Sequence, residues 1–154
     1  MTDQPIAGGC LCGAIRYSST AVPATVATCH CRTCQKGYGG PFTASVAFRK
    51  SAFTITKGAL KFFASSKVAQ RGFCSTCGSP ILIDFEFSVP FAGEHYFVRI
   101  GSLDNPENYK PKWHYGVESQ LPWVHLNDGL PTQSTADKLE TVEALATGQG
   151  PSTS

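Results

Sequence analysis

Between Ala14 and Val124 apolar residues recur at every second position in short runs punctuated by Gly, Pro and Ser, with little that repeats at helical period. Phe42, Ala44, Val46 and Phe48 alternate with Thr43, Ser45 and Ala47, which predicts a strand with an apolar row on one face and small residues on the other. Ile81, Ile83, Phe85 and Phe87 stand in the same relation to Leu82, Asp84 and Glu86, and Tyr96, Val98 and Ile100 make a third such row. Lys57-Gly58 separates Phe53-Thr-Ile-Thr from Leu60-Lys-Phe-Phe and predicts a hairpin with Gly in the turn. Asp104-Asn105-Pro106-Glu107 reads as a turn or a single helical turn, with Asp or Asn capping and Pro near its start. The pattern as a whole is mainly β. Thr135 to Ala146 is the one stretch of helix-forming composition, with Leu139, Val142, Leu145 and Ala146 able to share a face, so a short C-terminal helix is expected within 132–146. Residues 147–154, Thr-Gly-Gln-Gly-Pro-Ser-Thr-Ser, have nothing to bury and are expected to be a disordered tail.

A chain of 154 residues is the size of one domain and long enough to bury a core without disulfides. Its 13 Lys and Arg against 11 Asp and Glu give +2, scattered along the sequence, which speaks against nucleic acid as a partner. No apolar run approaches the roughly 18 residues needed to span a bilayer, so no membrane insertion is expected. The opening Met1-Thr-Asp-Gln-Pro-Ile-Ala-Gly-Gly lacks a basic stretch followed by an apolar run. This predicts no signal peptide and a cytoplasmic location. Exposed strand edges allow a homodimer.

Seven cysteines change this picture, because a reducing compartment disfavours disulfides and an odd number cannot pair completely. They fall in three groups: Cys10-Leu-Cys12, Cys29-His-Cys31-Arg-Thr-Cys34 and Cys74-Ser-Thr-Cys77-Gly78. Zinc takes four ligands at tetrahedral angles, and a C-x-x-C turn followed by Gly aims two thiolates at one point. Cys10, Cys12, Cys74 and Cys77 together make a complete four-sulfur site that would staple the N-terminal edge of the sheet to a turn far along the chain. Cys29, Cys31 and Cys34 are left with three thiolates and an open position, the arrangement of a catalytic zinc. His30 and His114 are candidate fourth ligands. The triad also admits other readings, as a second structural site or as a redox-sensitive thiol cluster that releases metal on oxidation.

Gly9-Cys10-Leu-Cys12-Gly13, Cys29-His-Cys31-Arg-Thr-Cys34, Gly39-Gly-Pro-Phe42 and Arg71-Gly-Phe-Cys74-Ser-Thr-Cys77-Gly-Ser-Pro80 resemble the glutathione-dependent formaldehyde-activating enzyme family, which also holds centromere protein V-like proteins. The likeness runs on through Gly101-Ser-Leu-Asp104, Lys112-Trp-His114 and Leu121-Pro-Trp123 to Asp128-Gly-Leu-Pro131, so the domain is placed at 7–131, after a short tail at 1–6. The resemblance implies a zinc-stapled β-tent of antiparallel sheets. It also implies a structural zinc on Cys10, Cys12, Cys74 and Cys77, and a second, labile zinc on Cys29, Cys31 and Cys34 whose site need not be full. The reaction it implies is that of a carbon–sulfur lyase, which makes or cleaves S-hydroxymethylglutathione from glutathione and formaldehyde. The partners are then a small thiol and an aldehyde. Glutathione, the co-substrate, needs cations for its two carboxylates, for which Lys36, Arg49, Arg71 and Arg99 are candidates and Lys36 and Arg71 the chosen pair. Trp113, His114 and Trp123 are expected to be aromatics that close the sheet. Gly37 to Gly40 is expected to be a loop or plain turn. The competing reading is a non-enzymatic zinc interaction module, or a carrier of thiol or formaldehyde.

Overall fold

A computed structural model describes residues 4–137. The chain divides into two compact units, one of residues up to 24 together with 46–109, the other of 25–45 together with residues from 110 onward.

In the first unit, β1 (Ile6–Gly9), β2 (Arg16–Ser19) and β5 (Phe53–Lys57) form an antiparallel three-stranded sheet in the order β1-β2-β5. A second antiparallel run joins β9 (His95–Arg99), β8 (Pro80–Phe85), β7 (Ala69–Phe73) and β6 (Lys61–Ala64) in that order. β4 (Thr43–Arg49) begins in the second unit and ends in the first. Its Val46, Ala47 and Phe48 are fully buried, as are Ile81 and Leu82 of β8, so the centres of these two strands are covered on both faces, whereas the expected apolar row of β8 stops short: the strand ends at Phe85 and Phe87 stands in the turn beyond it, 78% exposed. The aromatic core shows what covers them. Tyr17 of β2 stacks on Phe53 of β5 at 5.0 Å, and Phe53 meets Phe48 at 6.4 Å and Tyr96 at 5.3 Å. Each such fully buried side chain contributes on the order of 1.5–3 kcal/mol.

The hairpin expected at Lys57-Gly58 does not form. Gly58 does turn the chain, but the edge of β5 is occupied by Arg16–Ser19 and β6 pairs instead with Gln70–Phe73, so the two strands belong to different ladders. A Cβ at Gly58 would come within 2.3 Å of the Ala14 carbonyl, which shows how tightly this turn packs on the sheet. The helical turn expected after Asp104 is present as Pro106–Asn108, with Pro at its start and no side-chain cap.

In the second unit, β10 (Trp113–Tyr115) lies parallel to β3 (Thr25–Cys29) and to β11 (Thr132–Gln133), in the order β11-β10-β3. The antiparallel arrangement expected throughout therefore fails at β10, both of whose pairings are parallel. Parallel pairing needs a long connection, and here residues 30–112 separate β3 from β10. Arg32–Tyr38 form a helix, α1, where part of a loop was expected. Its N-terminus is capped by the Cys31 sulfur, which accepts from the Cys34 N–H at 3.4 Å, and Gly39 ends it in the left-handed conformation. Of the span 132–146, the described part is β11 followed by a turn, and the rest of the expected C-terminal helix, like the tail at 147–154, lies outside the described residues. Among the described residues no helix is long and apolar enough to cross a membrane.

Candidate metal centres

The first unit brings Cys10, Cys12, Cys74 and Cys77 together with all four sulfurs within 4.8 Å of one another. Cys10 and Cys12 are 3.6 Å apart and Cys12 and Cys74 3.9 Å, against the ~3.8 Å that tetrahedral thiolates around zinc require. Local structure aims them. The β7–β8 ladder shifts register between Gly72 and Phe73, just before Cys74, and the knuckle closes through Gly78 N–H to the Cys74 carbonyl at 2.8 Å. The first pair closes through Gly13 N–H to the Cys10 carbonyl at 3.2 Å, and the Leu11 N–H reaches across to the Ser79 hydroxyl at 3.1 Å.

The electrostatics of the group call for a cation. The Ser79 hydroxyl, 3.1 Å away, and the Ser79 N–H draw the Cys77 thiol down to about 5. The Cys10 thiol is also lowered: burial works against this, and the Ile15 N–H at 3.2 Å and the neighbouring thiols outweigh it. Cys12 goes the other way. The Ala14 N–H pulls it down, yet Cys10 and Cys77 push it up to about 11. Four thiols this close cannot all ionise unaided, whereas a divalent cation at their centre removes the conflict, so the donor set fits zinc.

In the second unit, Cys29, Cys31 and Cys34 form a separate group within the same limit of 4.8 Å, with Cys29 and Cys31 at 3.4 Å. β3 delivers Cys29, the bend into α1 delivers Cys31, and the first turn of α1 delivers the buried Cys34. Crowding by Cys31 and Cys34, with burial added, pushes the Cys29 thiol far up. Cys31 is lowered by Cys29 but raised on balance by Cys34 and burial. The same conflict thus recurs with one ligand fewer. No His, Asp, Glu or further Cys joins the triad among the described residues, and no disulfide links any of the seven cysteines.

Neither candidate fourth ligand joins the triad. His30 is wholly buried, its ring against Phe42 at 5.2 Å and edge-on to His114 at 5.6 Å. His114 bonds Thr28 through Nδ1 and Asp128 through Nε2. Trp113 is buried as expected and donates to Thr25 Oγ1 at 3.1 Å, but Trp123 is 67% exposed and closes nothing. Lys36 sits exposed on α1 in the unit of the triad, whereas Arg71 lies on β7 in the unit of the four-cysteine group. Of the other two cations, Arg49 is paired with Glu94 at 3.1 Å and Arg99 is buried.

The polar groups that brace the triad escape the sequence reading. Gln35 Nε2 donates to the His30 carbonyl at 2.6 Å and to the Ser119 carbonyl at 2.9 Å, while its Oε1 accepts from Arg32. The His30 N–H donates to the Tyr115 carbonyl at 2.8 Å. Gly116 passes so close that a Cβ there would lie 2.9 Å from the Cys31 nitrogen. None of these carries a local signature. The one available cue was Asp128-Gly129, a turn pair whose carboxylate turns out to face His114.

Fold and site define a mainly β protein with two thiol groups of metal-binding geometry, one complete and one open. The chain belongs to the glutathione-dependent formaldehyde-activating enzyme family, whose model matches residues 5–119. It is 34% identical over 101 residues, 66% of this chain and 70% of the other, to a Schizosaccharomyces pombe protein named as an uncharacterized lyase. The crystal structure of a Rhodobacter sphaeroides protein superposes with a TM-score of 0.53 at 21% identity, covering 84% of this chain and 100% of that one, which bears on the fold alone.

Proposed function

We propose that this chain is a zinc-dependent carbon–sulfur lyase acting on an aldehyde–thiol adduct, S-hydroxymethylglutathione synthase-like, with glutathione and formaldehyde as substrates. The observation that carries the reading is the triad of Cys29, Cys31 and Cys34, three converging sulfurs with no fourth protein ligand among the described residues. Family membership and the lyase name of the yeast relative support it. On this reading Cys10, Cys12, Cys74 and Cys77 hold a structural zinc, and Cys29, Cys31 and Cys34 hold a second, labile one.

Zinc at the triad would supply acidity to an incoming thiol, holding it as thiolate at neutral pH. The sulfur then bonds to the aldehyde carbon, and the proton lost by the thiol ends on the former carbonyl oxygen; cleavage runs the same steps backwards. Lys36, exposed on the helix that carries Cys34, is proposed to bind a carboxylate of glutathione. Cysteines grouped for metal and not paired as disulfides suit a cytoplasmic setting. The exposed edge of β6 would allow a homodimer.

The test is zinc stoichiometry and turnover in wild type and Cys31→Ser, each titrated with glutathione. Two zincs per chain falling to one, with turnover and the response to glutathione lost in a variant that still folds, support the reading; unchanged turnover in folded Cys31→Ser sinks it. A non-enzymatic interaction module is favoured by one observation, the 43% and 65% exposed Phe62 and Phe63 on β6. Inactive wild type with two zincs that captures one stoichiometric protein through that strand would decide for it.

A further inference from the structure

One residue before the triad, Thr28 lies directly across the parallel β3–β10 ladder from His114, and the two are 3% and 4% exposed. Thr28 Oγ1 is 2.5 Å from His114 Nδ1, and His114 Nε2 is 3.0 and 3.1 Å from the two Asp128 oxygens. Asp128 is itself fixed, its Oδ1 accepting from the Leu130 N–H at 3.1 Å. A carboxylate only accepts, so Nε2 of His114 carries a proton directed at Asp128. The Thr28 hydroxyl, able both to donate and to accept, also lies 3.4 Å from His30 Nε2. The contacts thus run unbroken from His30 through Thr28 and His114 to Asp128.

The end of this chain matters because His30 stands between two ligands of the triad. Its backbone is held on both sides, the N–H by the Tyr115 carbonyl and the carbonyl by Gln35 Nε2. With backbone and ring both fixed, the two flanking sulfurs stay 3.4 Å apart without a bond between them. Outer groups that orient ligands in this way commonly set metal affinity.

We propose that Asp128, His114 and Thr28 are positioning residues that hold His30, and through it Cys29 and Cys31, in the geometry that takes up the second metal ion. This rests on the reading of the triad as a metal site. The test is cobalt(II) titration of the full chain, followed at the thiolate charge-transfer and d–d bands, with zinc affinities from competition against a chromophoric chelator. Asp128→Ala and Thr28→Val should weaken the second equivalent about 10–100-fold and shift its d–d bands. The first equivalent should be unchanged, and Thr28→Ser should restore the wild-type value. Asp128 is 36% exposed and Thr28→Val nearly isosteric, so both variants are compatible with folding. Wild-type affinity for both equivalents in these variants overturns the positioning role and leaves the triad a metal site. A wild type that takes up only one equivalent overturns both. Parallel loss of both equivalents in Asp128→Ala would assign the chain of bonds to folding and overturn the proposal.

Discussion

Gly116 and Gly39 share almost the same left-handed backbone, with φ of 69° and 70°, yet their surroundings differ completely. A Cβ at Gly39 would meet nothing within 4 Å, while at Gly116 it would lie 2.9 Å from the Cys31 nitrogen and 3.1 Å from the Cys31 Cβ. Alanine in this conformation costs about 1–2 kcal/mol at either position. At Gly116 the obstacle is backbone, which cannot swing aside as a long side chain would, so overpacking adds about 1–3 kcal/mol. Gly39→Ala should therefore lose about 1–2 kcal/mol in urea unfolding and keep its full complement of metal. Gly116→Ala should lose about 2–5 kcal/mol and, on the proposed reading of the triad as a metal site, give up its metal at lower chelator concentration, because relief of the clash displaces Cys31. Equal losses in the two variants would refute the reasoning, since they would mean that Cys31 yields freely and that the segment after β10 does not buttress it.

Two further outcomes follow from the first unit. Arg16 holds Asp104 by bonds of 2.8 and 2.5 Å and keeps its carboxyl below the usual range. The side chains are 39% and 41% exposed, so solvent screening limits the pair to about 0.5–1 kcal/mol. Since the folded value is the lower one, this contribution is whole above the ordinary carboxyl value of about 4 and is lost as pH falls through the folded value. Asp104→Asn should lower stability at pH 7 and flatten the decline measured by urea unfolding between pH 7 and 3, and an unchanged slope would disprove the linkage. On the proposed reading of the four-cysteine group as a structural zinc site, stripping it with a strong chelator should cost on the order of 10 kcal/mol, read as loss of the β-sheet circular dichroism; a native spectrum in metal-free protein would show that these cysteines are no staple.

How much of this was legible in the sequence depended on range. The partition of the cysteines follows from spacing alone, because C-x-C and C-x-x-C fix their own turns and only the pairing of turns is long-range. β4 and β8 were visible as alternation, although the run read through Phe87 overshoots the end of β8 at Phe85, and Ala47 and Leu82 are as buried as their neighbours and blur the period. α1 was hidden because it has only seven residues, includes Gly37, and is started by a cysteine sulfur in place of the usual Ser or Asp. The false hairpin has a related cause. Gly58 marks a turn correctly, but which strands pair across it was decided by β2 and β7. The bonds of Thr28 to His114 and of Gln35 to Ser119 join residues 86 and 84 positions apart, beyond any local pattern.

β6 ends its antiparallel run, and all four of its residues, Lys61-Phe62-Phe63-Ala64, are exposed. A strand edge left unpaired among the described residues and carrying two aromatic rings is a template on which like molecules stack, and the counterweight is charge: Lys61 on the strand and Lys67 just beyond it. Repulsion between such lysines reaches about 10 Å at 0.1 M salt and only about 3 Å at 1 M. Shelf life in concentrated solution should accordingly shorten as ionic strength rises, with turbidity appearing first in the saltiest buffer, and Phe63→Lys would postpone it.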